Sequence, residues 1–257
     1  MSQILLQMKF FLWIKNSIPN LLTLLNLLAG CLSIISSVEG YPLWAGIFIL
    51  VAAVFDFLDG LAARLLKAVS SVGKELDSLS DIISFGLAPS FILFVFMKSI
   101  LLLNHIESTD LTCINIFILL SPFLIVVFSA LRLAKFNVDS RQTSEFIGLP
   151  TPANAIFIAW LPVLLSSYNL TIYFIILNLK TLLTIIIIHS LLLISPFPLF
   201  SLKMKSFAWK ENKVRYFFLA VSIILVVLLR WKSVPFIIWL YILIGIVQYV
   251  YHKVIKT

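Results

Sequence analysis

The 26 residues from Asp56 to Asp81, DFLDGLAARLLKAVSSVGKELDSLSD, decide how the chain is read, because they hold four of its six aspartates within otherwise apolar sequence. Carboxylates are expensive in or beside a bilayer, so a cluster of them marks a functional site by default. Asp56 and Asp59 stand three apart at the end of one apolar run, and Asp77 and Asp81 stand four apart at the start of the next. Both spacings put a pair on one helical face. The alanine-rich, glycine-punctuated stretch between them lets the chain turn, so the two faces oppose each other across one small volume. Four carboxylates so placed repel unless cations neutralise them. An oxygen-rich site of that kind suits Mg2+ or Mn2+, and two ions among four carboxylates would also bridge a pyrophosphate.

Working outward, the chain is 61% hydrophobic and 12% charged, against roughly 25% charged for a soluble domain. Its apolar runs are spread evenly, which makes residues 1–257 one polytopic, all-α integral membrane domain. Spans are expected near 19–38, 42–67, 76–103, 112–136, 152–167, 170–196, 213–231 and 234–251, a bundle of about eight transmembrane helices. Asn169, Asn178 and Lys180 interrupt the sixth, so its start falls at 170 or, after a surface segment, near 181. Residues 1–17 have no small-residue cleavage site and read as an interfacial helix, with Ser17 and Pro19 suited to opening the first span.

The net charge of +8 raises nucleic acid as a partner, but the lysines and arginines lie in short loops between apolar runs, and membrane insertion accounts for them. Fifteen of the 19 fall at the two termini and in the loops after spans two, four and six. The positive-inside rule then puts both termini and the aspartate run on the cytoplasmic side of the cell (inner) membrane. Basic residues from Lys203 to Arg215, beside Phe207 and Trp209, suit contact with anionic membrane lipids. Cys31 and Cys113 have no metal-ligand spacing and read as apolar packing residues, and His105, His189 and His252 as interfacial or packing residues.

Around the aspartates, Gly60, Ala63 and Gly73 remove side-chain bulk, and Arg64 is available for a phosphate. Asn20 and Thr23, one turn apart at the cytoplasmic start of the first helix, either meet a nucleotide phosphate or serve as cap and interhelical hydrogen bonds. Arg132, Lys135 and Asn137 end the fourth span on the same side, and Arg141, in the loop beyond, either meets the acceptor or a lipid phosphate or is merely solvated. Lys135 suits positive-inside anchoring, whereas Arg132, one turn deeper, suits a lipid phosphate or an acceptor carboxylate. GLPTPANA, residues 148–155, reads first as a rigid entry into span five and only second as a selectivity loop.

The pattern D-x-x-D-G-x-x-A-R, eight residues, then G-x-x-x-D-x-x-x-D is filled at every fixed position by Asp56, Asp59, Gly60, Ala63, Arg64, Gly73, Asp77 and Asp81. In this the chain resembles the CDP-alcohol phosphatidyltransferases. The resemblance implies a membrane enzyme that forms a phosphodiester from a CDP-linked lipid and an alcohol, releasing CMP. It implies that the four aspartates bind divalent metal and that Asp81 is the base for the acceptor hydroxyl; Asn20, Thr23, Gly60, Ala63, Arg64 and Gly73, from the readings above, are the candidates to bind the CDP-lipid. IPNLLTLLNLLAG (18–30), DSLSDIISFGLAPS (77–90), ALRLAKFN (130–137), GLPTPANA and ISPFPLFSLKMKSF (194–207) resemble the bacterial, membrane-embedded, serine-accepting branch. CDP-diacylglycerol as donor and L-serine as acceptor follow from that likeness, as does the expectation of a homodimer, for which no interface is legible. Glycerol 3-phosphate, inositol or an archaeal-type lipid donor are the alternatives within the class. Outside it stands an ion-coupled transporter, whose carboxylates would instead sit near the midplane on broken helices.

Overall fold

The computed structural model describes residues 2–68, 70–103, 112–138, 146–165, 175–199 and 209–255, with side chains from Ser17 onward except at 146, 147, 198, 210, 211 and 252–255. Helix α1 runs Ser2–Val38. No helix starts at Ser17: α1 passes straight through Pro19, because one proline removes a single N–H from the ladder, a loss the flanking turns absorb. Helix α1 closes with paired bonds from the Tyr41 N–H to the Ser36 carbonyl at 2.8 Å and from Gly40 to Ser37 at 3.3 Å. Pro42 then opens α2, Pro42–Leu65, at a position that needs no N–H. The same closure ends α2, with Ala68 N–H on Ala63 and Lys67 N–H on Arg64, and it holds Lys67 at φ 50°.

Helix α3, Ser71–Asp81, is capped by Ser70, whose Oγ accepts the Gly73 N–H at 3.0 Å. It continues through a π-helical stretch, Ile82–Leu87, into α4, Ala88–Leu103. The widened turn stops two residues short of Pro89, whose ring rules out an ordinary bond back to Phe85. Helices α5 (Cys113–Leu120) and α6 (Leu124–Val138) form one apolar segment with a 3-10 turn at Pro122. Helices α7 (Thr151–Ala159) and α8 (Leu161–Leu165) follow, then α9 (Leu179–Ile194). Helix α9 begins near the later of its two expected starts, where Asn178 Oδ1 accepts the Lys180 N–H at 2.9 Å. Strands β1 (Phe146–Ile147) and β2 (Pro198–Leu199) make a two-residue antiparallel pairing beside it. Helices α10 (Trp209–Leu229) and α11 (Val234–Ile255) complete the chain, joined by a 3-10 turn at Arg230–Ser233.

Among the described residues, five segments are long and apolar enough to cross a membrane: Ser17–Val38, Pro42–Leu65, Ser71–Leu103, Cys113–Val138 and Asn212–Tyr251, the last holding most of α10 and α11. Thr151–Leu165 and Leu179–Ile194 are shorter apolar helices. Length and hydropathy thus confirm the membrane-spanning character but not the count of about eight spans expected from the sequence. The difference lies in the short α7, α8 and α9, and in counting the last two helices together. The core gathers α1, α2, α4, α7 and α9 around Ile49, Phe85, Leu93, Met97, Ile158 and Ile186. Large apolar side chains such as Phe57, Ile114 and Leu228 face outward instead, as expected of a surface in contact with lipid.

Candidate active site

Helices α2 and α3 meet at one end of the bundle, and carboxylate oxygens of Asp56, Asp59 and Asp77 come within 4.8 Å of one another. The sequence places Asp81 one helical turn beyond Asp77, about 6 Å along the axis. It stays outside that trio, buried, with the other three carboxylates as its charged neighbours. Three of the four expected ligands therefore converge directly and the fourth borders them.

What holds these like charges together is α1. Thr23 Oγ1 lies 2.6 Å from Asp59 Oδ2 and 3.0 Å from the Pro19 carbonyl. A hydroxyl has one proton, and the shorter contact to a charged acceptor is the stronger bond. One turn on, Asn26 Nδ2 donates to Asp81 Oδ1 at 3.3 Å. The backbone of the same turns accepts from α3 and the π-helix: Ser80 Oγ donates to the Thr23 carbonyl at 3.0 Å, and Ser84 Oγ to that of Asn26 at 2.9 Å. Gly30 permits this approach, since a Cβ there would lie 2.5 Å from Ser84 Oγ and 2.8 Å from Ser84 Cα.

Beside the trio opens a cavity of about 190 Å³ whose walls include Asn20, Thr23, Asp59, Gly60, Ala63 and Gly73. A Cβ at Gly60 would meet nothing within 4 Å, so protein packing does not require glycine there. At Gly73 a Cβ would lie 3.0 Å from both Asn20 Oδ1 and Ser70 Oγ, so the cavity narrows on that side. Arg64 is exposed, and its Nε donates to its own helix at the Gly60 carbonyl, 2.9 Å away. Lys74, unremarked in the sequence, lines the cavity and reaches the end of α6, where its Nζ donates to the Asn137 carbonyl at 3.1 Å.

Arg132 is buried, with Nη1 donating to Thr151 Oγ1 at 3.3 Å, and Asp81 is the carboxylate whose charge it feels. Lys135 is exposed, and Arg141 lies outside the described residues. His189, expected to be a packing residue, is fully buried and hydrogen-bonded to Asn154. Sequence reasoning missed Asn26, although Asn20, Thr23 and Asn26 form one polar stripe at three-residue spacing along an apolar helix.

Hard oxygen donors of this number fit a divalent ion such as Mg2+ or Mn2+. One observation favours that fit: Asp77 Oδ1 is buried with no hydrogen-bond partner, beside two further carboxylates. A buried anionic oxygen left in that condition is costly unless a cation meets it.

A bundle of apolar helices that brings carboxylates from two helix ends against a cavity fits an integral membrane protein with an acidic site. The chain belongs to the CDP-alcohol phosphatidyltransferase family, whose profile matches residues 16–194. It is 39% identical over 157 residues to an archaetidylserine synthase of Methanothermobacter thermautotrophicus, covering 60% of this chain and 58% of that protein. It is 35% identical over 137 residues to the CDP-diacylglycerol--serine O-phosphatidyltransferase of Bacillus subtilis, covering 53% and 70%. Over 152 residues it is 35% identical to the protein of that name from Methanocaldococcus jannaschii, covering 59% and 63%. The matched region thus spans less than two thirds of the first and third of these relatives.

Proposed function

We propose that the chain is a phosphatidylserine synthase, transferring the phosphatidyl group of CDP-diacylglycerol to the hydroxyl of L-serine and releasing CMP. The observation that carries this reading is the convergence of Asp56, Asp59 and Asp77 on a cavity floored by small residues, with Asp81 buried alongside. The choice of serine is supported by the names of the relatives, each of which contains it.

Asp56, Asp59 and Asp77 would hold the divalent metal, with Asp81 as fourth ligand where two ions bind. When bound, Mg2+ or Mn2+ offsets charge on the pyrophosphate and on departing CMP. The remaining work falls to side chains. Asn20, Thr23, Gly60, Ala63 and Gly73 shape the space for the nucleotide end of the donor, and Lys74 adds a cation at its wall. Arg64, at the exposed rim, turns from the Gly60 carbonyl to a phosphate oxygen. Asn26 fixes the Asp81 carboxylate through Oδ1, which orients it to take the proton as the serine oxygen bonds to the lipid-side phosphorus and the bond to CMP breaks. Arg132, tied to Thr151 and facing the charge of Asp81, receives the serine carboxylate.

The same reading makes the chain one polytopic domain of the inner membrane. Its eight apolar helical segments all cross, and both termini and the site face the cytoplasm. The charge asymmetry of the loops supports that orientation. A second donor is favoured by the relative named archaetidylserine synthase: an ether-linked CDP-lipid in place of the ester. The test is incorporation of labelled serine, glycerol 3-phosphate and inositol by the purified protein, with either CDP-lipid, with and without Mg2+ or Mn2+. Metal-dependent serine incorporation is expected. Incorporation of another alcohol but never serine refutes the acceptor.

A further inference from the structure

The segment GLPTPANA is pinned in two places to α9 and the turn that follows it. Gly148, at φ 76°, donates its N–H to the Phe197 carbonyl at 3.0 Å, and Leu149 donates to the Leu192 carbonyl at 2.9 Å. A Cβ at Gly148 would lie 2.7 Å from the Leu193 carbonyl oxygen, so this entry admits only glycine. The second attachment is one turn inside α7. Asn154 Oδ1 and His189 Nδ1 are 2.7 Å apart, and both residues are fully buried. Phe157 stacks on the imidazole with ring centres 4.4 Å apart and planes at 26°, and Trp239 of α11 meets the ring edge-on at 5.6 Å.

Thr151, Asn154 and Phe157 succeed one another at three-residue steps and so share a face of α7. The last two grip His189, and the first meets Arg132. Turning α7 by one residue, about 100°, would carry Thr151 off the guanidinium. As a source of stability this pair is a poor choice. It leaves His189 Nε2 and Asn154 Nδ2 buried without partners, whereas apolar side chains would fill the space without that cost. Its geometric content is directional: it fixes the rotation of one helix.

We infer that Asn154 and His189 are positioning residues for acceptor recognition, holding α7 in the rotation that sets Thr151 against Arg132. Neither touches the reacting atoms or the cavity beside the aspartates. The inference rests on Arg132 receiving the serine carboxylate, as proposed above.

The experiment measures KM for serine and KM for CDP-diacylglycerol in purified wild type, Asn154→Leu, His189→Leu, the double variant and His189→Gln, alongside thermal stability. In the leucine variants the serine KM should rise about tenfold with the CDP-diacylglycerol KM unchanged within about twofold. The double variant should be no worse than either single one, and His189→Gln, which retains a donor for Asn154, should recover most of the loss. Should His189→Leu not survive purification, Asn154→Ser is read in its place. An unchanged serine KM in folded Asn154→Leu overturns the inference, and so do KM values for both substrates that rise together. Wild-type protein that incorporates no serine overturns the acceptor reading itself, an outcome separate from either of these.

Discussion

Gly60→Leu separates what the cavity does from what the fold needs. Glycine inside a helix costs about 1 kcal/mol relative to good helix formers, and a Cβ at position 60 meets nothing within 4 Å. The substitution should therefore leave thermal stability unchanged or raise it. The new side chain grows into the roughly 190 Å³ space bounded by Asn20, Thr23, Asp59, Ala63 and Gly73, which the reading gives to the nucleotide end of the donor. Forcing ligand and side chain to share filled space costs about 1–3 kcal/mol, or roughly 5- to 150-fold in affinity. The assay pairs a melting curve in detergent with CMP binding and CDP-diacylglycerol-dependent CMP release. Wild-type CMP affinity in a stable Gly60→Leu protein would refute the assignment of this cavity. A large loss of stability would instead refute the claim that the space around Gly60 is free of protein.

Two further substitutions test other parts of the site. Asp81→Asn keeps shape and a hydrogen bond to Asn26 while removing the proton acceptor, so serine-dependent CMP release should fall by about 10²–10⁴-fold with the melting temperature retained; substantial activity would remove Asp81 as the base. Gly30→Ala drives a methyl group against Ser84 Cα at 2.8 Å, backbone that cannot swing aside, and should cost about 1–3 kcal/mol, read as a lowered melting temperature in the absence of substrate.

The aspartate pairs, their placement at adjacent helix ends and their shared volume were legible because helical period and charge cost act locally on sequence. The separation of Asp81 from the other three was only half legible. A four-residue step keeps it on the face of Asp77, but whether one turn of depth joins or leaves the cluster depends on how α2 and α3 cross. The π-helix at Ile82–Leu87 had no readable signal, since Pro89 restricts the ladder behind it without specifying how the chain responds. The unbroken passage of α1 through Pro19 was misread for a related reason: a proline marks a helix start only where the preceding residues fail to continue it. His189 read only as an interfacial or packing residue because Asn154 lies 35 residues away, a distance closed only when α7 and α9 pack together.

Opposed carboxylates raise a folding problem that their own two helices do not solve, because α2 and α3 bring like charges together and gain nothing from it until a cation arrives. Helix α1 offsets this from outside the motif. Thr23 bonds the α2 carboxylate at Asp59 and Asn26 the α3 carboxylate at Asp81, while the backbone carbonyls of those same two residues accept from Ser80 and Ser84. Each turn of α1 therefore grips the site twice, once by side chain and once by main chain, and Gly30 lets the next turn stay as close. Geometry fixed in this way does not wait for metal or substrate, which is what the proposed phosphatidyl transfer would require, since preformed dipoles need no rearrangement during the reaction. Thr23 and Asn26, with Asn20 at the cavity wall, thus hold the aspartates from a helix that precedes them in the chain.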